Sequence, residues 1–346
     1  MVKCAKVKRK DGETVRRKLA AENAIDNGYV IARDDDFVYF PLKENGVSAA
    51  RKLKLTVSEK KALKRLPNVK SLSEALEGVL TEEEQGELIT AHDVIGDIAI
   101  LEIPESLEKK EKRIAEAMLR VNHNIKVVLK KAGAMEGEYR VRKFEHLAGE
   151  KRTETIHSEN GCRFKIDISN AYFSPRLGFE RKRISDLSLG RGKENVLVMF
   201  AGVGPFAINV GRRNHKAKVA AIELNPDAVR YMRENVILNK CPEIEVIEGD
   251  VREVVPKKFA KWADRVLMPL PKSAEEFLDI ALVAARTGCI VHLYTFDREE
   301  EPFDKAIIRI KEEAKKAKRK ITIENKRIVR PFAPHVVQIV IDFKMA

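Results

Sequence analysis

The feature that most constrains the fold is a regular alternation of short apolar strands and helices from about residue 190 onward. Predicted strands cover residues 195–200, 218–223, 243–247, 264–268 and 289–295, and predicted helices lie near 205–212, 226–237, 274–285 and 304–317. Alternation of this kind is typical of a parallel sheet covered by helices on both faces. Two closing β-rich runs, 321–330 and 336–343, are joined by a short loop, which predicts an antiparallel hairpin at the sheet edge.

The preceding half of the chain is divided by composition and pattern into two smaller α+β segments. A length of 346 residues suggests two or three domains. We predict three, covering residues 1–65, 66–165 and 166–346. The strongly basic stretch 51–65 is interpreted as a solvated connector or helix face, with a phosphate-contacting surface as the alternative.

Charge and cysteine content restrict the class of protein. The chain has 66 Lys+Arg against 53 Asp+Glu, a net charge of +13, which is compatible with a polyanionic partner without identifying one. No apolar stretch reaches the roughly 18–20 residues that cross a bilayer, and the N-terminus lacks the pattern of a secretory signal. The four cysteines are scattered, which favours free thiols in a reducing cytoplasm over disulfides or a metal site. We therefore expect a soluble cytoplasmic protein without a metal.

The turn after the first strand of the alternating segment is rich in glycine. Gly202, Gly204 and Ala207 fit the G-x-G-x-x-G/A spacing in a strand–turn–helix context, where glycines let the backbone approach a ligand closely. Glu223 ends the next strand, 19 residues after Gly204, where a carboxylate can accept hydrogen bonds from ribose hydroxyls. The pair predicts a nucleoside cofactor; the alternative is a turn that only packs the helix against the strand.

Two further positions favour S-adenosylmethionine over NAD as that cofactor. Asp250 follows the third strand and can accept from an exocyclic adenine amine, and Pro269 lies in a rigid turn after the fourth strand, where a methyl acceptor would bind. The hairpin ending also favours a methyltransferase sheet. An NAD-dependent oxidoreductase is disfavoured because no clear candidate for hydride chemistry lies beside the glycine turn.

Three segments carry a resemblance to a known family. They are GEYRVRKFEHLAGEKRT (137–153), NAYFSPRLGFERKR (170–183) and FAGVGPF (200–206). The chain resembles the tRNA (guanine-37 N1)-methyltransferases of archaea and eukaryotes over essentially its whole length, including Cys4, a basic strand and a helix of the TVRRKL kind near the start. The resemblance implies an α/β fold: a Rossmann-like class I S-adenosylmethionine-dependent methyltransferase domain preceded by two smaller α+β domains. It also implies that tRNA is the partner, contacted by all three domains.

The resemblance assigns roles to individual residues. Arg140 matches the arginine that stabilises charge developing on guanine O6, and Glu180 matches the carboxylate that takes the N1 proton. Both are needed chemically because guanine N1 is protonated and a poor nucleophile. The residues that the resemblance places around the cofactor are Tyr172, Arg181, Phe200, Gly202, Gly204, Glu223, Leu224, Asp250, Val251 and Pro269.

The sequence departs from the family pattern in two places. The first strand ends in Val198 and Met199 where an Asp is common, and Pro269 replaces a common Asn. One archaeal branch of the family also methylates a carbon of the tricyclic wyosine precursor at the same tRNA position, and the altered motif leaves that activity open. A third alternative is an RNA-binding protein without catalysis. We expect the protein to be a monomer.

Overall fold

The computed structural model describes residues 1–63, 71–133, 137, 139 and 141–346 of the chain. The chain divides into two units, Met1–Ser71 and Leu72–Ala346. The second unit contains every predicted site residue that the structure describes. The predicted boundary at residue 165 falls within the strand Cys162–Asp167, and the division into three domains stays a prediction.

The first unit is built on a four-stranded antiparallel sheet. Its elements are β1 (Val2–Lys8), α1 (Gly12–Ala21), β2 (Ala32–Arg33), β3 (Phe37–Pro41), α2 (Gly46–Lys52) and β4 (Thr56–Lys60). The strand order is β2-β3-β1-β4, and buried side chains such as Leu19 and Phe40 form the core. The interpretation of 51–65 as a connector or helix face was wrong for its middle, where β4 pairs with β1 and Val57 packs against this core.

The second unit begins with a smaller sheet and a hairpin. Its first elements are α3 (Leu72–Ala75), α4 (Glu82–Glu87), β5 (Asp93–Ile95), β6 (Ile98–Leu101), α5 (Glu111–Val121), β7 (Val127–Lys131), β8 (Phe144–Gly149), β9 (Glu154–Glu159) and β10 (Cys162–Asp167). Strands β5-β6-β7-β8 form one sheet, in which β6 and β7 are parallel and connected through α5. Within the part of the chain that the structure describes, strands β9 and β10 pair only with each other.

The rest of the second unit is a seven-stranded sheet with helices. Its elements are α6 (Gly178–Ser188), β11 (Asn195–Met199), α7 (Pro205–Arg213), β12 (Lys218–Glu223), α8 (Pro226–Leu238), β13 (Ile244–Glu248), α9 (Val251–Lys258), β14 (Ala263–Met268), α10 (Leu278–Ala284), β15 (Ala285–Arg298), α11 (Asp304–Lys316), β16 (Ile321–Ala333) and β17 (Val336–Met345). The order is β13-β12-β11-β14-β15-β17-β16. The first five strands are parallel, and β17 and β16 complete the sheet as an antiparallel hairpin at its edge.

Burial on both faces explains why the central strands are continuous apolar runs. In β11, Val196 and Val198 face one hydrophobic core, whereas Leu197 and Met199 face the other. Side chains alternate between faces with a period of two, so a strand between two helical layers must be apolar at every position. The predicted alternation of strands and helices and the edge hairpin are confirmed.

Asn235 of α8 and Asn239, the C-cap of that helix, join the β9–β10 hairpin to the larger sheet's helical layer. Asn239 accepts from the Arg163 backbone N–H (2.8 Å) and donates to its carbonyl (2.6 Å). Asn235 does the same two residues along β10, with Lys165 (2.7 and 3.0 Å). Asn235 and Asn239 are four residues apart, about one helical turn, and Arg163 and Lys165 are two residues apart on β10. The two side-chain amides therefore lie along the free edge of β10, where backbone N–H and C=O groups lack a partner among the described strands and need hydrogen bonds.

Two smaller predictions concern cysteines and membrane segments. Cys4, Cys162, Cys241 and Cys289 are all free and buried, as predicted. Within the described ranges, no helix is long and apolar enough to cross a membrane.

Candidate active site

The candidate site lies at the carboxyl edge of the parallel strands, where ligands bind in open α/β sheets. Between β11 and α7 the backbone adopts positive φ three times, at Phe200 (+59°), Gly202 (+57°) and Gly204 (+88°). A Cβ at Gly204 would lie 2.9 Å from Met232 Cγ, so this glycine lets α7 pack closely on α8. A non-glycine residue at positive φ is strained, and the Phe200 ring is held edge-on to Phe277 at 4.9 Å.

Glu223, at the end of β12, binds this turn directly. Its Oε2 accepts from the Gly202 backbone N–H at 2.7 Å. Its Oε1 accepts from the backbone N–H groups of Leu224 and Asn225, each at 2.9 Å. Each carboxylate oxygen has about two lone pairs, so Oε2 retains capacity for one further donor, such as a ribose hydroxyl. The Leu224 side chain is 37% exposed beside it.

The next strand end supplies a helix N-terminus. Asp250 is the N-cap of α9, and its Oδ1 accepts from the Arg252 N–H at 2.8 Å. Its side chain is partly exposed, so it can also accept from a ligand amine. The side chain of Val251 lies in the core, so this residue can contribute only its backbone to a ligand. Pro269 follows β14 and is half-buried.

The loop 170–177 lies against the glycine turn. The Tyr172 carbonyl oxygen is 3.7 Å from the position that a Cβ on Gly202 would take, and the Tyr172 side chain is 47% exposed. Asn225 holds one end of the loop by donating to the Asn170 carbonyl at 2.7 Å. The segment that carries the family resemblance is therefore next to the nucleoside-binding turn.

Arg181 does not reach the cofactor cleft in this structure. Its side chain is buried, and its guanidinium donates to both carboxylate oxygens of Glu159, each at 2.5 Å. A further bond to the Ser174 carbonyl at 2.9 Å fixes the loop 170–177, and the guanidinium lies 4.9 Å from the Phe173 ring centroid. In this structure Arg181 contacts Glu159 and the loop 170–177, and its expected place around the cofactor stays a prediction. Its partner Glu159 was not identified from the sequence, because only the tertiary structure pairs β9 with α6.

Glu180 is enclosed in this structure. Its carboxylate is fully buried, with Oε2 accepting from Arg183 Nε at 2.8 Å and from the Tyr294 hydroxyl at 3.1 Å. Oε1 lies 3.2 Å from Arg327 Nη1. Burial, and then the neighbouring Glu180, raise the pKa of Tyr294 well above its usual value, so the phenol remains a neutral donor. The role of Glu180 as general base stays a prediction. It requires the carboxylate to become accessible to the target nucleobase. Arg140 lies outside the described residues.

A buried polar network extends from Glu180 across the sheet. Arg183 Nη1 pairs with Asp342 at 2.9 Å, Asp342 accepts from His292 Nδ1 at 2.6 Å, and His292 Nε2 lies 2.6 Å from Arg265 Nη1. Arg265 continues to Glu194 at 2.8 Å. These residues are not predictable from the sequence, because they come from distant segments and share no motif.

Three family models match consecutive parts of the chain. The tRNA methyltransferase 5 N-terminal domain matches residues 4–49, the TYW2 N-terminal domain matches 72–153, and the TRM5/TYW2 methyltransferase domain matches 155–322.

Several named proteins are similar to the chain. A tRNA (guanine(37)-N(1))-methyltransferase Trm5b from Pyrococcus abyssi is 40% identical over 346 residues, covering 100% of both chains. A protein of the same name from Methanocaldococcus jannaschii is 37% identical over 99% of this chain and 98% of its own. A tRNA 4-demethylwyosine(37)-methyltransferase Taw21 from Saccharolobus solfataricus is 31% identical over 76% of this chain and 96% of its own.

Solved structures show the same fold. Trm5b from Pyrococcus abyssi superposes with a TM-score of 0.73 at 39% identity over 100% of both chains. A complex of aTrm5 with tRNALeu gives 0.71 at 36% identity over 99% of both chains. TYW2 of M. jannaschii in complex with AdoMet gives 0.58 at 28% identity over 74% of this chain and 100% of that one. The predicted Rossmann-like fold class is confirmed, and the chain belongs to the TRM5/TYW2 methyltransferase family.

Proposed function

We propose that this protein transfers a methyl group from S-adenosylmethionine to N1 of guanine 37 in tRNA. The observation that carries the proposal is that the loop 170–177 lies directly against the nucleoside-binding turn, with the exposed Tyr172 beside Gly202. A base held by this loop would therefore be next to the bound cofactor. The two full-length relatives named above carry the name of this activity.

The described residues fit the cofactor. Glu223 Oε2 has one protein donor, from Gly202, and can accept from a ribose hydroxyl. The partly exposed Asp250 carboxylate can accept from the adenine amine. When bound, S-adenosylmethionine supplies a methyl group already activated on a sulfonium, so the remaining task of the protein is alignment and charge stabilisation.

Guanine 37 must leave the anticodon stack before it can enter a protein pocket, at a cost of a few kcal/mol. Its N1 then has to lose a proton. In the proposed reaction Glu180 accepts this proton after the carboxylate becomes accessible, and Arg140 stabilises charge on O6. Catalytic hydrogen bonds often form only in the complex with substrate, so the enclosed Glu180 is compatible with this role.

A second candidate activity is methylation of the wyosine precursor at position 37 of tRNA. Pro269 favours it, since proline offers only a carbonyl oxygen where an amide side chain could both donate and accept. A base with a different pattern of donors and acceptors from guanine would suit this position. Taw21 of Saccharolobus solfataricus is named for an activity on 4-demethylwyosine.

The test of the main proposal is incubation of the protein with labelled S-adenosylmethionine and tRNA transcripts that carry G or A at position 37. We expect label only in the G37 transcript, at N1. Equal label in both transcripts would overturn the proposal, and no label would favour an RNA-binding protein without catalysis. Label only in tRNA that carries the tricyclic precursor would favour the second candidate.

The assignment of Glu180 as the general base is tested by the substitution Glu180→Gln. We expect kcat to fall by about 100-fold or more, the usual range for loss of a general base, with unchanged affinity for S-adenosylmethionine. A fall in kcat without a change in affinity for S-adenosylmethionine separates a role in the reaction from a role in building the cofactor site. Glu253→Gln, at an exposed ion pair on α9, is the matched control. Unchanged turnover in Glu180→Gln would remove the assigned role.

A further inference from the structure

A cavity of about 230 Å³ lies beside the candidate active site, between the sheet β5-β6-β7-β8 and the tip of the β16–β17 hairpin. Tyr172 lines it from the loop next to the cofactor turn, and Arg330 and Phe332 line it from the hairpin. Its volume is below the range of about 300–1,000 Å³ that is typical of sites for drug-sized ligands. The cavity therefore suits one small planar group rather than a length of chain.

The cavity carries more positive than negative charge. Four cationic side chains, Lys131, Arg142, Arg176 and Arg330, line it together with two carboxylates, Asp93 and Glu102. Arg176 pairs with Asp93 at 2.6 Å, and Lys131 pairs with Glu102. Both carboxylates are thus engaged, and among the lining residues that the structure describes two cations, Arg142 and Arg330, remain in excess.

Arg330 is a half-buried cation that lacks a neighbouring carboxylate to pair with among the described residues. Its Nε donates to the Gln338 side-chain oxygen at 3.0 Å, and Gln338 is itself buried. Burial lowers the pKa of Arg330, because the neutral Gln338 does not replace the hydration that the charge has lost. A ligand acceptor oxygen in the cavity would compensate this charge.

The aromatic lining identifies the class of ligand. Phe332 is 48% exposed at the hairpin tip, its ring centroid lies 4.0 Å from that of Phe296 with the planes tilted by 30°, and the Arg330 guanidinium lies 5.6 Å from its centroid. Tyr172 and Phe144 add further rings. Aromatic side chains with arginines are the usual platform for unstacked nucleobases, whereas a backbone phosphate gains little from rings.

We propose that Arg330 and Phe332 are nucleobase-binding residues: they form one wall of a pocket that receives the unstacked target base of the RNA. Phe332 stacks on the base, and Arg330 donates to its carbonyl oxygen. The inference rests on the proposed function, since it takes the base to be nucleotide 37 of tRNA. The tip of the C-terminal hairpin thereby becomes part of the substrate site.

The test uses the full chain and tRNA transcripts that carry 2-aminopurine at position 37 or, separately, at position 38. With wild type, we expect 2-aminopurine fluorescence to change on binding at position 37 and to stay constant at 38. Phe332→Leu should abolish the change at 37. A change at 38 alone would overturn the assignment to the target base.

Steady-state kinetics give the second readout. Phe332→Leu removes a stacking contact and Arg330→Gln removes a charged hydrogen-bond donor, so each should lower kcat/KM for tRNA by about tenfold or more. The KM for S-adenosylmethionine should stay within about twofold, and Arg330→Lys should recover part of the loss because it keeps the charge. A rise confined to the KM for S-adenosylmethionine would mean that Arg330 binds the cofactor carboxylate, and would overturn the proposal.

Ile237→Ala is the control, because Ile237 is a large apolar side chain on α8 that is 78% exposed and does not line the cavity. An equal loss in this variant would also overturn the assignment.

Failure of the proposed function can be distinguished from failure of the pocket assignment. If wild type methylates G37 but the hairpin variants behave as wild type, only the pocket assignment is wrong. If wild type methylates no tRNA, the function is wrong, whereas the fluorescence change still tests the pocket.

Discussion

At the residue scale, His292 shows how a buried ionisable group acquires a single protonation state. Its Nε2 is 2.6 Å from Arg265 Nη1, and a guanidinium can only donate, so Nε2 accepts. Its Nδ1 therefore carries the proton and donates to Asp342 at 2.6 Å. The ring is neutral, and burial lowers its pKa despite the neighbouring carboxylate. The network admits one tautomer of His292.

This lowered pKa predicts a pH dependence of stability. Below about pH 6.5, the usual pKa of histidine, the unfolded chain binds a proton at His292 that the folded chain does not. The free energy of unfolding should therefore fall as pH decreases from about 6.5, by up to about 1.4 kcal/mol per pH unit from this residue. The check is urea denaturation of wild type and His292→Gln between pH 7.5 and 5.5.

The variant removes one titrating group and leaves the other histidines in place, so their contributions cancel in the comparison. We expect a shallower decline in His292→Gln, whatever its stability at pH 7.5. Parallel curves for the two proteins would contradict the assignment. The lowered pKa of Asp342, for which the His292 and Arg183 contacts outweigh burial, acts in the same direction only at much more acidic pH.

At the scale of elements, the loop 170–177 depends on an ion pair between β9 and α6. Glu159 binds Arg181 through two contacts of 2.5 Å, and Arg181 in turn donates to the Ser174 carbonyl. Among the effects on the pKa of Glu159, burial is the largest and raises it, but His157 and Arg181 together lower it below its usual value. The pair is thus ionised and orients the segment that carries Tyr172.

Removal of Glu159 or Arg181 alone should destabilise the protein. Removal of both should restore most of the stability without restoring turnover, which distinguishes the effect of the pair on stability from its effect on the position of the loop. Glu159→Gln leaves a buried guanidinium unpaired, at a cost of about 3–5 kcal/mol. In Glu159→Leu/Arg181→Met neither charge of this pair remains, so we expect most of the stability to return while kcat stays about tenfold or more below wild type, because Ser174 has lost its donor. The measurements are thermal unfolding and single-turnover methyl transfer.

Lys182→Gln provides the control on the same helix, since Lys182 is exposed and pairs with Asp186 on the surface. It should change neither quantity appreciably, as surface ion pairs contribute little. Recovery of both stability and turnover in the double variant would show that Arg181 does not position the loop.

At the scale of the whole molecule, we expect the net charge of +13 to contribute to tRNA affinity and not to recognition of the target base. Exposed lysines and arginines can contact phosphates of any sequence, whereas the proposed base contacts come from Glu180, Arg140 and the cavity residues Arg330 and Phe332. Affinity for tRNA should therefore depend strongly on salt, because neutralised phosphates release condensed counterions. The monomeric state expected from the sequence stays a prediction.

The salt dependence can be measured by titrating tRNA at 50 to 200 mM NaCl. We expect affinity to fall by about tenfold or more over this range, with parallel losses for G37 and A37 transcripts. Affinity for S-adenosylmethionine, which carries little net charge, should change far less and serves as the control. A loss confined to the G37 transcript would mean that salt acts on base recognition instead.

The sequence by itself determined the sheet and the nucleoside-binding turn. Strands buried on both faces are readable as apolar runs, and the glycine turn and Glu223 belong to one short βαβ unit, so their spacing along the chain is also their spacing in the fold. The resemblance of residues 172–181 to one family added the expected substrate. These features depend on local pattern or on a contiguous motif.

Only the tertiary structure decided the surroundings of Glu180, the contacts of Arg181 and the cavity at the hairpin tip. Tyr294 and Arg327 reach Glu180 from strands more than a hundred residues away, and Glu159 reaches Arg181 from another strand. No periodicity links such residues, because their proximity follows from how the elements pack. A motif can therefore identify an ionisable residue, whereas packing determines whether that residue contacts solvent, a ligand or an opposite charge.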